Sequence, residues 1–200
     1  YGQAERHIFI GPEGSWGLWT AIDGQQLWRL TLLGINEKLD LSQFDAAAWV
    51  RRALGRDDAP FEVLSLLPWR RSEMIADRFR EGRVLLAGDS VHTMSPTGGM
   101  GMNTGMCDIV DLGWKLQAML EGWGGPRLIE SYEIERRPIA KRNAAASTNN
   151  LGAISSPKNC AKILDQTEEG ARARQQIGAD FSAAMRASYW EPSGLQLGYL

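Results

Sequence analysis

The chain has 200 residues, of which 44% are hydrophobic and 23% are charged, a composition typical of one large or two small globular domains. Its 22 basic and 24 acidic residues give a net charge of -2, which excludes the basic surface that binds nucleic acid or anionic lipid. No apolar run approaches the roughly 18 residues of a membrane-spanning helix. Cys107 and Cys160 form no CxxC or Cys/His cluster, so we expect no metal site, no disulfide framework and a reducing, cytoplasmic location.

The first predicted element is a β-hairpin within residues 6–34. Its strands, 16–22 and 26–33, flank Asp23-Gly24, a dipeptide that accepts the positive φ angles of a tight turn. On the second strand Trp28, Leu30 and Leu32 share one face, which predicts a sheet that is covered on one side. Such a sheet could form a pocket wall, whereas its tryptophans could equally fill a core. The candidates for either role are Trp16, Trp19, Trp28, Arg29 and Trp69.

Residues 42–55 are predicted to form a helix that Ser42 caps and Gly55 ends. Residues 61–67 predict a strand, and residues 68–82 a mixed connection. Residues 83–87 consist of Arg83 and the continuous apolar run Val84–Ala87, which predicts a short strand buried on both faces and ending at Gly88-Asp89.

A glycine-rich segment follows and leads into a helix. The predicted buried face of this helix contains Met102, Met106, Ile109, Gly113, Leu116 and Leu120. Residues 122–126 should end it, and a second helix should cover residues 127–150, with a kink or a break at Pro138. A charged helix over about 162–187 and a Pro/Gly-containing tail complete the chain.

A buried strand, a glycine-rich loop and a helix in that order present backbone N–H groups to an anionic or electron-rich ligand. Two phosphate-binding fingerprints are not met, because Gly99, Gly101 and Gly105 are spaced GxGxxxG and no Gly-Lys-Ser/Thr follows. What remains is the Asp89 carboxylate at the strand end and residues 98–103, where missing side chains let a flat ligand lie against the backbone.

Four segments together resemble a known family. They are Gly82–His92, Ser95–Asn103, Asp108 with Leu112–Leu116, and Ser131–Pro138. In sequence and spacing they are similar to the second FAD-binding block of the class A flavoprotein monooxygenases, the para-hydroxybenzoate, phenol and polyketide hydroxylase type. The tail at Leu195–Tyr199 is similar to polyketide and phenol hydroxylases. The resemblance implies an α/β fold with α+β character. Residues 1–75 would form part of the β-sheet of the substrate domain, and residues 76–150 the C-terminal half of an FAD-binding domain like that of para-hydroxybenzoate hydroxylase. Residues 151–200 would form a helical segment with a tail.

The resemblance also implies roles for individual residues. Asp89 would accept a hydrogen bond from a ribityl hydroxyl of FAD, and Pro96 would lie at the catalytic position beside the reactive edge of the flavin. The N–H groups of Gly101, Met102 and Asn103 would face the pyrimidine end of the ring, where negative charge collects on reduction.

The residues around this site would be structural. The resemblance gives His92 a role in bonding backbone near the flavin. Asp108 and residues 135–137 are expected to hold the helices through caps and ion pairs.

The function implied is the hydroxylation of an aromatic (phenolic or polyketide) substrate with NAD(P)H and O2 by way of a flavin hydroperoxide. The family's first FAD-binding block, strand-GxGxxG-helix, is absent from these residues. With Tyr1 in place of Met, this predicts a segment of a longer enzyme. We therefore expect the 200 residues to be inactive alone and to need the missing N-terminal block of the same protein.

Two alternatives stay open from the sequence. The chain could be a non-catalytic domain that binds a flavin or another ligand. A more remote alternative is a Gly-Asp-Ser hydrolase with Ser90 as nucleophile and His92 as base, which the lack of a GxSxG elbow disfavours.

Overall fold

The structure is a computed structural model that describes residues 6–35, 39–155 and 160–187. The tail resemblance at 195–199 lies outside these residues. The chain forms two compact units: the first includes the described parts of 1–69 and 154–183, and the second those of 70–153 and 184–200. Both units combine helices and strands, so the predicted mixed α/β class is confirmed. Among the described residues, no helix is both long and apolar enough to cross a membrane.

The first unit contains an antiparallel sheet in the order β1-β2-β3, with β1 at Arg6–Gly11, β2 at Gly14–Ala21 and β3 at Trp28–Leu32. The predicted hairpin is confirmed, but its loop is longer than a tight turn because Ala21 pairs with Trp28. The Asp23 carboxylate accepts backbone hydrogen bonds across this loop, from Gln25, Gln26 and Leu27. Those bonds stabilise the loop and lower the pKa of Asp23.

One face of this sheet forms the core of the first unit. Trp16 and Trp19 are buried, and side chains from β3 and from the helix α1 (Ala46–Leu54) pack against them. The register of β1 and β2 shifts so that Trp16 is an extra residue between two paired positions. This bulge turns the Trp16 ring onto the ring of Phe9, with centroids 4.9 Å apart. The β2 tryptophans therefore fill a core, whereas Trp69 is exposed.

Helix α1 begins later than predicted. The Asp45 carboxylate accepts a hydrogen bond from the Ala48 N–H at 2.9 Å, so Asp45 caps the helix. The Ser42 hydroxyl instead donates to Asp40 at 2.7 Å. Gly55 ends the helix in the left-handed conformation, as predicted. Helix α4, Glu168–Met185, lies within the predicted charged helix.

The strands of the second unit are short. β4 (Met74–Ile75) pairs with β7 (His92–Thr93), and β5 (Arg80–Glu81) pairs with β6 (Val84–Leu85). In the first unit, the strand predicted at 61–67 is absent: these residues are irregular and exposed. The strand predicted at 83–87 forms only as β6, and Val84 is 64% exposed, so the expectation of burial on both faces is wrong. An apolar run is buried only when neighbouring strands and helices cover it, and β5 is the one strand beside β6 in the described part of the chain.

Helix α2, Met100–Leu120, turns the predicted face outward. Met102, Ile109 and Leu120 are 73%, 60% and 88% exposed, so the prediction that their stripe is buried is wrong. The buried side chains are Thr104, Asp108, Leu112, Lys115 and Ala118. Hydrophobic periodicity identified an apolar stripe, but the buried face is set by polar side chains whose partners lie far away in sequence.

Helix α3, Pro126–Ser155, follows the predicted interruption at 122–126 and continues through Pro138 without a break. It supplies much of the second core, in which the buried residues are Phe79, Val91, Leu112, Ile129, Tyr132 and Ala140. The Tyr132 hydroxyl donates to the Leu86 carbonyl at 2.8 Å. Helix α3 is thereby tied to the chain just before the turn that carries Asp89.

Candidate functional site

An open groove of about 660 Å³ lies in the second unit, between the chain after β6 and the start of α2. It brings together three of the predicted site residues, Asp89, Gly101 and Met102. The rest of its lining is glycine or apolar: Ala87, Gly88, Gly105, Met106, Ile109 and Val110. The groove therefore combines one carboxylate and exposed backbone with a largely apolar surface.

Asp89 lies in the 3-10 turn Gly88–Ser90. Gly88 has a φ of 60°, a conformation that favours glycine, and this reverses the chain directly after the apolar run. The Ser90 hydroxyl donates to the Ala87 carbonyl at 2.7 Å and closes the turn. Asp89 itself is exposed, and no described residue bonds its carboxylate. Its oxygens are therefore available to a ligand donor.

The glycine-rich loop leads into an uncapped helix terminus. Gly99 precedes α2 with a φ of 68°, and no side chain caps the first turn. The N–H groups of Met100, Gly101 and Met102 have no acceptor within the helix, as in any first helical turn. The Asn103 side chain donates to the Gly99 carbonyl at 2.7 Å and is outside the groove lining. Of the three predicted donors, Gly101 and Met102 therefore lie in the groove and Asn103 does not.

Pro96, the predicted catalytic position, is exposed in the loop before α2 and is not part of the groove lining. Its carbonyl accepts a hydrogen bond from the Gly99 N–H at 3.1 Å, which closes a turn over residues 96–99. The Ser95 and Thr97 hydroxyls bond each other at 2.8 Å across the proline. These contacts fix the backbone conformation on both sides of Pro96.

A buried polar network around Asp108 of α2 supports the turn that carries Asp89. The Asp108 carboxylate accepts from His92 Nε2 at 2.7 Å, from Arg136 Nε at 2.8 Å and from the Gly88 N–H at 3.2 Å. Burial favours the neutral acid, but the hydrogen bonds from His92, Arg136 and Gly88 outweigh it and hold the pKa of Asp108 below its ordinary value. Asp108 is therefore an ionised acceptor, and His92 Nε2 must carry the proton that it shares with Asp108.

A second ion-pair cluster joins α2 to α3. Lys115 Nζ is buried and contacts Asp111 at 2.8 Å and Glu135 at 2.6 Å. Together with the Asp108–Arg136 pair, it agrees with the prediction of ion pairs for Asp108, Glu135 and Arg136. Arg137 instead donates to the Ala76 carbonyl at 3.3 Å. The prediction that His92 bonds backbone is wrong: His92 contacts the Asp108 carboxylate because both side chains are excluded from solvent.

The packing role of one glycine and one hydrogen bond near the site were not predicted from the sequence. A Cβ on Gly105 would lie 3.1 Å from the Cα of Gly88, so glycine at 105 lets the turn approach the helix closely. The bond from Gly88 to Asp108 was also missed. The sequence carries a signal only for Gly105, because a glycine within a predicted helix indicates a close backbone approach.

The hydrolase geometry is not formed. Ser90 bonds the backbone of Ala87, and His92 is buried against Asp108. A serine nucleophile must share a hydrogen bond with its base, and this serine and histidine engage other partners.

The polar groups and the apolar surface of the groove fit the flavin end of FAD. A ribityl chain carries hydroxyl donors that suit the unpaired Asp89 carboxylate, and the electron-rich edge of the ring suits the uncapped N–H groups of α2. The apolar surface formed by Met106, Ile109 and Val110 suits a flat aromatic ring system.

The fold and the groove are those expected of a flavin-binding segment. Residues 28–147 match the family described as FAD binding domain, and the chain belongs to that family. It is 41% identical over 105 residues to the anhydrotetracycline monooxygenase of Streptomyces rimosus, covering 52% of this chain and 21% of that protein. It is 31% identical over 175 residues to the 2,4-dichlorophenol 6-monooxygenase of Cupriavidus pinatubonensis, covering 84% of this chain and 28% of that protein.

A solved structure shares nearly the whole fold. The rebeccamycin biosynthetic enzyme RebC with reduced flavin superposes with a TM-score of 0.83 at 35% sequence identity, covering 98% of this chain and 37% of RebC. The chain thus spans between about a fifth and two fifths of the length of these relatives. The family resemblance identified from the four sequence segments is confirmed.

Proposed function

We propose that this chain is part of an FAD-dependent monooxygenase that hydroxylates an aromatic substrate, phenolic or polyketide, with O2 and NAD(P)H. The observation that carries the proposal is the groove, in which an unpaired carboxylate and an uncapped helix start occur together in a chain of the FAD binding domain family. The relatives named as an anhydrotetracycline and a dichlorophenol monooxygenase support the class of reaction and of substrate.

Each end of the groove has its own task in this proposal. Asp89 accepts a hydrogen bond from the ribityl chain and so orients the flavin. The N–H groups of Gly101 and Met102 donate toward the pyrimidine edge, where they stabilise negative charge as an oxyanion hole does. Asn103 lies outside the groove lining, and its side chain stabilises the turn at Gly99.

Pro96 borders the reaction space in the proposal, through a loop that its neighbours hold in one conformation. FAD, when bound, supplies the redox chemistry that transfers one oxygen atom from O2 to the aromatic ring. The protein's own part is to bind and orient the cofactor and to keep water out of the reaction space.

The proposal gives the adenosine diphosphate end of FAD to an N-terminal block of the same protein. The stretch shared with this chain is 37% of RebC and 21% of the anhydrotetracycline monooxygenase, so those proteins are long enough to contain such a block. The division at residues 75 and 150, the use of NAD(P)H and the cytoplasmic location stay predictions.

The test uses the complete gene product, purified and assayed for bound flavin by its visible absorbance. We expect a yellow protein that oxidises NAD(P)H in the presence of O2 and adds one oxygen atom to phenolic or polyketide aromatics, as read by mass spectrometry. The 200-residue chain alone is the control and should not turn over. Flavin without oxygen-dependent turnover would favour the non-catalytic alternative, and a colourless gene product that does not bind added FAD would refute the proposal.

A further inference from the structure

The buried Asp108 carboxylate contacts three different parts of the second unit. Its donors belong to β7, to α3 and to the turn after β6: His92, Arg136 and Gly88. Asp108 is fully buried and lies on α2, the helix whose first turn lines the groove. One carboxylate therefore links the turn of Asp89 to the helix that presents the N–H donors.

The Gly88 bond determines where Asp89 lies. Gly88 has a φ of 60° and immediately precedes Asp89, so a rotation at Gly88 displaces the Asp89 side chain. The Gly88 N–H has the Asp108 carboxylate as its acceptor, at 3.2 Å. The close approach of Gly105, also on α2, limits movement of the turn toward that helix. Asp89 has no described partner of its own, so its position depends on this turn.

We propose that Asp108 is a positioning residue, whose carboxylate holds the Gly88 N–H and thereby aims Asp89 at the ribityl chain of FAD. This inference rests on the proposed function, because it concerns the same groove. It assigns Asp108 a part in cofactor binding beyond its ion pair with Arg136.

The substitution Asp108→Asn tests this bond selectively. An asparagine has one oxygen for the three donors. Arg136 has no acceptor capacity, so it keeps the amide oxygen. His92 can move its proton to Nδ1, which no described residue bonds, and accept from the amide nitrogen with Nε2. The Gly88 N–H is then the donor that loses its acceptor.

Asp111→Asn is the matched control. Asp111 lies one turn further along the same helix and bonds Lys115 rather than the Gly88 turn. An asparagine there removes a negative charge from α2 and still offers Lys115 an oxygen. It reproduces the charge change of Asp108→Asn without touching Asp89.

The experiment measures FAD dissociation constants and amide hydrogen exchange on the complete gene product and both variants. We expect Asp108→Asn to raise the FAD dissociation constant about tenfold and to speed exchange at Gly88, the equivalent of one hydrogen bond. Asp111→Asn should lower the melting temperature at most and leave both readouts unchanged. If Asp108→Asn lowers the melting temperature without changing FAD affinity or Gly88 exchange, Asp108 is merely structural and the inference is overturned.

Two further outcomes keep the test decisive. If the Asp108→Asn variant does not fold, amide hydrogen exchange of the wild-type protein is the test. The inference requires the Gly88 amide to exchange more slowly than the Asp89 amide, and equal exchange rates at the two positions overturn it. If the wild-type protein binds no FAD, the proposed function fails and the inference with it. Wild-type binding with an unchanged Asp108→Asn affinity refutes the positioning role alone.

Discussion

Replacing Asp89 with alanine separates a ligand contact from a structural one. The Asp89 carboxylate is exposed and has no described partner, so its loss should change the free energy of unfolding without flavin by no more than about 0.5 kcal/mol. If a ribityl hydroxyl donates to Asp89, the complex loses one charge-assisted hydrogen bond worth about 1 to 3 kcal/mol. That corresponds to FAD binding that is roughly 5 to 150 times weaker.

The assay is a titration of the flavin-free gene product with FAD, followed by flavin fluorescence, alongside urea unfolding without flavin. Asp77→Ala is the control, because Asp77 is an exposed aspartate of the same unit whose one ion-pair contact, to Arg137, is 4.0 Å long. We expect FAD affinity to fall in Asp89→Ala alone. The reasoning is refuted if Asp89→Ala binds FAD as tightly as the wild type, or if Asp77→Ala weakens binding equally.

Three further predictions concern the scaffold of the groove. Gly105→Ala should lower the free energy of unfolding measured in urea, because the added Cβ would lie 3.1 Å from the Cα of Gly88. Gly113→Ala, on the same helix but in open space, should raise the free energy of unfolding by about 0.5 to 1 kcal/mol. If both variants change stability equally, the close approach of Gly105 to Gly88 is contradicted. Tyr132→Phe should lower the free energy of unfolding by about 1 kcal/mol, because the Leu86 carbonyl loses its hydrogen-bond donor. An unchanged urea midpoint would refute this. The pKa of Asp108 is lower in the folded protein than in the unfolded chain, where it is about 3.9. The ionised carboxylate therefore stabilises the fold above about pH 3.9, and this stabilisation is lost as the pH falls through the folded-state pKa. The stability gap between wild type and Asp108→Asn should therefore narrow below about pH 4, and a gap independent of pH would contradict the ionised state.

Much of the candidate site follows from local sequence rules. The apolar run before Gly88, the glycines of the loop and the amphipathic helix predict a strand-loop-helix unit, and the structure places Asp89, Gly101 and Met102 in one groove. Such features are local because a positive φ or an uncapped helix start depends on a few adjacent residues. Asn103 and Pro96 lie outside that lining: the Asn103 side chain donates to the Gly99 carbonyl, and the Pro96 carbonyl accepts from the Gly99 N–H.

The helix cap at Asp45 shows the limit of local rules at the scale of one turn. Ser42 and Asp45 are both residue types that cap helices, and the prediction placed the cap at Ser42. The choice follows from the loop before the helix, in which Asp40 engages Ser42 and leaves Asp45 to accept the Ala48 N–H.

By itself, the sequence determined the family, the hairpin, the four helices and the position of the carboxylate at Asp89, because these depend on residues close together along the chain. Only the tertiary structure decided which face of α2 is buried. Periodicity predicted burial of the stripe through Met102 and Ile109, yet the fold buries Asp108 and Lys115. A buried charge is tolerated when partners satisfy it, and those of Asp108 are 16 and 28 residues away, at His92 and Arg136. Such distant pairings leave no periodic signal, so burial on this helix is a property of the assembled unit.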